Sequence, residues 1–166
     1  MAKISTLQFT RRAEAGAECP LMDPLAPEQP LLGADGVQAN LILLGTDSAV
    51  AKRHQQARAA LMQSRLYASA FSQKTDKTEV APEVTAEDVA EQEAAELDLL
   101  VALTVGWRGF EDDEGAPVPC TSATVRALYE QCPPIRAQAL TFVTDRARFF
   151  AASATPSAPS LPIASA

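Results

Sequence analysis

The rhythm of hydrophobic and polar positions changes near residue 45. Before it, Ile4-Ser5-Thr6-Leu7-Gln8-Phe9 alternates loosely, Ala17 to Met22 offers a second strand, and Leu41-Ile42-Leu43-Leu44 is a continuous β-favouring apolar run. Between the last two lies Asp23-Pro24 through Pro30, too rich in proline for a sheet interior, followed by the turn dipeptide Asp35-Gly36. Together these signals predict a small antiparallel sheet of about three strands.

Gly45-Thr46-Asp47-Ser48 ends that pattern, because glycine stops the strand and Asp47 or Ser48 can accept from the free amides of a helix start. An alanine-rich helix over 48–72 is expected, with Val50, His54, Ala57 and Leu61 as its inner face and Met62 and Leu66 beside it. Residues 73–83 read as an exposed linker. A second helix starts at Thr85, where Asp88 completes a short-armed capping box, and runs to about Val105, with Gly106 as its terminator. Its buried stripe is Ala90, Ala94, Leu97, Leu100, Val101 and Thr104.

Trp107-Arg108-Gly109-Phe110, the acidic turn Glu111 to Gly115 and Pro117-Val118-Pro119 form a loop or short hairpin. Thr121 or Ser122 then caps a third helix whose Val125, Leu128, Tyr129 and Cys132 fall at i, i+3, i+4 and i+7. Pro133-Pro134 ends it and opens a fourth, lined by Ile135, Ala139, Phe142 and Phe149, with Val143 and Phe150 adjacent. From Ala152 the sequence is Ala, Ser, Pro and Thr with single Leu161 and Ile163, which predicts a disordered tail. The expected class is α+β: a β-sheet region over 1–47, a helical region packed with it over 48–151, and the tail over 152–166.

Composition narrows the function. The 166 residues carry a formal net charge of −7 with 47% hydrophobic but only 5% aromatic content. Such a field opposes nucleic-acid binding, so no nucleic acid is expected as partner. Neither a signal-peptide core nor an apolar run of bilayer length is present, which predicts a soluble protein of the cell interior with no membrane partner. Cys19, Cys120 and Cys132 are odd in number and unpaired by motif, which fits reduced thiols. Charge is also segregated: residues 48–77 hold six Lys or Arg against one acid, and residues 79–98 hold eight acids and no base. The two helices either pair with complementary flanks or present separately solvated faces.

Candidate chemistry is sparse. A single histidine, His54, lies on an apolar stripe and reads as structural, and it leaves zinc sets and a Ser/His/Asp triad without partners. The run Glu111 to Glu114 lacks calcium-loop spacing, and Gly45 to Ser48 lacks the glycines and lysine of a phosphate loop. No catalytic, cofactor or metal residues are expected. What remains suits surfaces or core anchoring: Trp107, Arg108, Phe110, Tyr129, Phe142 and Phe149.

Val105-Gly106-Trp107-Arg108-Gly109-Phe110, the acidic turn ending at Gly115, Pro117-Val118-Pro119, the short helix ending in Leu128-Tyr129, Pro134-Ile135-Arg136 and the stretch Phe142 to Phe149 together resemble the C-terminal part of tail assembly chaperones of siphophages and prophages. Leu43-Leu44-Gly45-Thr46-Asp47-Ser48 with the basic helix after it is similar to their N-terminal part, so the likeness spans about residues 4–150. The resemblance implies a non-enzymatic protein of the host cytoplasm that acts with the tape measure protein and the tail tube protein and is absent from the finished virion. It brings no catalytic residues or cofactor, and self-association is a further expectation for partners. In some relatives a ribosomal frameshift appends a further domain. The proline-heavy loop Asp23 to Gln29 and the long linker at 73–83 depart from the family pattern. The alternative is a structural virion component, such as a tail completion or head–tail connector protein.

Overall fold

The computed structural model describes residues 9–72 and 85–151. The expected tail over 152–166 and the linker at 73–83 lie outside the described residues. Helix α1 (Phe9–Ala15) is followed by strands β1 (Ala17–Pro20) and β2 (Asn40–Leu43), then by helices α2 (Ala49–Ser72) and α3 (Ala86–Leu103). Strand β3 (Thr104–Arg108) leads to α4 (Ser122–Gln131), α5 (Pro133–Thr144) and α6 (Arg146–Ala151). The class is α+β, with one antiparallel sheet in the order β1-β2-β3.

Period two decides which side of the sheet is inside. Ala17 and Cys19 of β1 and Leu41 and Leu43 of β2 are buried, while Glu18 and Pro20 point to solvent. Ala17 lies opposite Leu43 and Cys19 opposite Leu41, so the apolar rows meet on one face. Pro20 is tolerated because β1 is an edge strand.

The third strand is not the N-terminal one expected. Residues 4–8 of that stretch are outside the described residues, and Phe9 opens a helix in which Ala13 is buried. The strand comes instead from 104–108, directly after α3. Helix α3 therefore ends at Leu103, before the expected Val105, and Gly106 sits within a strand and does not act as a cap. Thr104, Val105 and Trp107 favour extended backbone, and Gly106 lies opposite Ile42, whose Cδ1 would stand 3.1 Å from any added Cβ. The pairing skips Val105 between Gly106↔Ile42 and Thr104↔Leu43, a bulge that lets the chain turn out of the helix.

Proline keeps residues 21–39 out of the sheet proper. That segment folds over the sheet end with single bridges, Met22 to Pro30 and Leu32 to Gln38, and Leu21 fully buried. Gln138 of α5 clasps it, its Oε1 accepting from the Met22 amide at 2.8 Å and its Nε2 donating to the Met22 carbonyl at 2.9 Å.

The core joins Leu41 and Leu43 to Leu97, Leu100, Val101 and Leu103 of α3, Val125 and Tyr129 of α4, and Ile135, Ala139, Phe142 and Val143 of α5. The capping box expected at Thr85 with Asp88 forms, and Thr121, the cap of α4, makes a second one with Thr124. At the start of α2 the cap is Ser48, whose Oγ accepts from the Ala51 amide, while Asp47 pairs with Arg146 at 2.8 Å. The expected fourth helix breaks at Asp145, and Phe149 reaches the core from the separate α6. Leu128 and Cys132 are half-buried and pack against the core.

The inner face expected for α2 is largely corrected. Ala51 is buried and Val50 packs against the core, His54 is half-buried, and residues 55–68, Ala57 and Leu61 among them, are all exposed. In α3, Ala90 and Ala94 are likewise exposed, and burial begins at Leu97. The reason is length. Only the start of α2 and the end of α3 reach the sheet and its helices, so the stripes beyond them form a two-helix arm.

Candidate functional site

The six residues singled out from the sequence fall into two environments. Tyr129, Phe142 and Phe149 are core residues. Tyr129 Oη lies 2.7 Å from Thr104 Oγ1, whose own proton is engaged by the Leu100 carbonyl at 2.8 Å, so the tyrosine hydroxyl is the donor. Burial pushes its pKa up to about 12. Phe142 and Phe149 meet edge to face at 5.7 Å, and the Arg148 guanidinium lies 5.0 Å above Phe142.

Trp107 and Arg108 end β3, and Phe110 lies in the segment after it. The two half-buried rings are 4.8 Å apart, and Trp107 Nε1 donates to the Val118 carbonyl at 2.8 Å, tying β3 to the segment before α4. Gly109 between them has φ 76°, and an added Cβ would stand 3.0 Å from the Ala39 backbone, so both conformation and space demand glycine. Arg108 is exposed and pairs with Glu18 across the sheet at 3.5 Å. The acidic turn is self-organised: Asp112 Oδ1 accepts from the Glu114 and Ala116 amides. These residues anchor the fold and do not converge on one open face.

A groove of about 330 Å³ lies beside β1 and α5, lined in part by Cys19, Met22, Gln138, Phe142 and Arg148. Its polar groups are already engaged, Gln138 by Met22 and Arg148 by Asp145 at 3.1 Å. Burial pushes the Cys19 thiol up to about 11, against a smaller opposing pull from Arg148, so it holds no thiolate at neutral pH. Cys120 is raised by burial as well. Among the described residues, no group of three or more His, Cys, Asp or Glu is placed to hold a metal, and no helix is long and apolar enough to cross a membrane.

No family model, curated protein or solved structure matches this chain.

Outside the six residues singled out from the sequence, the arm carries the densest set of exposed apolar side chains. Leu61 (48% exposed), Met62 (49%), Leu66 (70%) and Tyr67 (60%) on α2 and Val89 (49%) on α3 offer large apolar side chains to solvent. The two helices are joined by a bidentate ion pair from Arg65 to Glu91. Hydrogen bonding to Arg65 holds the Glu91 carboxyl below its usual range, and the Thr85 hydroxyl does the same for Asp88. The complementary flanks thus pair within the molecule. The signal for an exposed arm was in the sequence: a 24-residue helix, about 36 Å long, exceeds what a core of this size can cover.

Proposed function

We propose that this chain is a tail assembly chaperone: a non-enzymatic protein of the host cytoplasm that binds the tape measure protein and helps recruit tail tube subunits. The observation that supports this reading is the arm of α2 and α3, which carries apolar side chains on helices that the core leaves open. The sequence pattern over about residues 4–150 points the same way. A tape measure chain is long and helical, and it exposes apolar stripes until tube subunits enclose it. A helical arm with Leu61, Met62 and Val89 at its surface can cover such stripes by helix-against-helix packing. Individually weak contacts let the tube displace it, while many copies along one client give adequate hold.

Co-expression tests the reading. The cognate tape measure protein should stay soluble and be recovered with this chain, and should aggregate when made alone. Because the attraction is mainly apolar, recovery should persist between about 0.1 and 1 M salt, where screening shortens from about 10 to 3 Å. Failure to recover the tape measure, or finding this chain at stoichiometric copy number in finished particles, would favour a structural virion component.

A further inference from the structure

The arm is suited to a second copy of itself. Within Ala49–Ser72 the charged residues are Lys52, Arg53, Arg58 and Arg65, all basic; within Ala86–Leu103 they are Glu87, Asp88, Glu91, Glu93, Glu96 and Asp98, all acidic. Five of the nine most exposed large hydrophobic residues among those described lie on these two helices. Met62 and Leu66 stand one turn apart on α2, with Leu61 beside them. Positions 55–68, about 21 Å of helix, are exposed throughout. Helices take most of their stability from packing of an apolar face, so a pair that buries this little is marginal by itself.

We propose that two copies of this chain associate through their arms, α2 of one against α3 of the other. Arg65–Glu91 and Arg126–Asp98 already pair within one copy; a two-fold contact uses the same patch twice, so the remaining Arg53 and Arg58 of each α2 meet Glu87, Glu93 and Glu96 of the other copy's α3 at both halves of the interface. The apolar residues around Leu61, Met62 and Val89 then leave water between the four helices. An unrelated partner would have to supply an acidic and a basic flank in the right order, whereas a second copy has both by construction. The chaperone reading places a client helix on the same Leu61, Met62 and Val89, so there the client displaces the second copy; the dimer itself is tested on the purified chain alone.

Sedimentation equilibrium of the full chain over roughly 1–200 μM decides it. A reversible monomer–dimer equilibrium is expected, and Met62→Glu should raise its dissociation constant about tenfold or more. A second test separates arm pairing from nonspecific contact. One variant carries Arg53→Glu and Arg58→Glu, and another carries Glu93→Arg and Glu96→Arg. Each alone should be monomeric, since like charges then face each other, and an equimolar mixture should form a heterodimer. Circular dichroism checks that each variant keeps its helices. A wild-type chain that is monomeric at the highest concentration overturns the proposal, as does a dimer that Met62→Glu and both charge-reversal variants leave intact.

Discussion

Tyr129 is where the sheet and the helices are tied by a single polar contact. Its ring fills the core and its hydroxyl donates to Thr104 at the junction of α3 and β3. Tyr129→Phe keeps the ring and removes one net hydrogen bond, so a loss of about 1 kcal/mol is expected in urea titrations. The same burial gives a pH dependence whose sign is fixed. Cys19 is raised from 9.0 to about 11 and Tyr129 from 10.0 to about 12, both chiefly by burial, so the folded state favours the neutral forms. Stability is then full below about pH 9 and declines as pH rises through 9–11 for the thiol and 10–12 for the phenol. Urea midpoints measured from pH 8 upward should fall across that window, and Tyr129→Phe should flatten the upper part. At Gly45 the constraint is steric: an added Cβ would meet the Ala13 Cβ at 2.9 Å and its Cα at 3.2 Å. Gly45→Ala should cost roughly 1–3 kcal/mol through overpacking between α1 and the sheet end, seen as a lowered melting temperature.

Among the elements, the arm and the core should separate in their response to the same change. Leu100 is fully buried and Leu61 is half exposed. Leu100→Ala should cost about 2–5 kcal/mol, and Leu61→Ala, measured on dilute protein, should stay within about 0.5 kcal/mol. Leu128, half-buried, belongs between them, and Val125 and Tyr129 are the residues that fix α4 to the core. Hydrogen exchange gives the backbone counterpart: amides of 55–68 and 86–94 should exchange well before those near Leu41, Leu100 and Tyr129. Cap removal is local as well, so Thr121→Ala should lower stability by about 0.5–2 kcal/mol, through the first turn of α4.

At the scale of the whole molecule, the sheet and helices share one core, because β3 comes from between α3 and α4 and completes a sheet begun near the N-terminus. Folding therefore has to bring residue 41 against residue 107 before the sheet has three strands. Trp107 fluorescence and far-ultraviolet circular dichroism should report one coincident urea transition, with Leu41→Ala moving both midpoints together. Two resolved transitions would mean that the helical part folds apart from the sheet.

Local rules were enough for much of this chain. The stretch Ala17 to Met22 marked β1, the continuous apolar run Leu41 to Leu44 marked β2, hydroxyl caps marked the starts of α3 and α4, and the paired prolines marked the turn into α5. Each of these signals acts within a few residues, so no distant partner has to be known. The third strand was hidden because Thr104 and Val105 continue the apolar helical stripe and Gly106 reads as its terminator, and only the open edge of β2 draws 104–108 into extended pairing. The arm was hidden for the converse reason. Periodicity states that Leu61 and Met62 share a side of α2, but the distance from the helix start to the end of the core decides whether that side is covered. Likewise the roles of Trp107 and Tyr129, one a half-buried clasp on Val118 and the other a core donor to Thr104, depend on residues 11 and 25 positions away, which only the tertiary structure brings together.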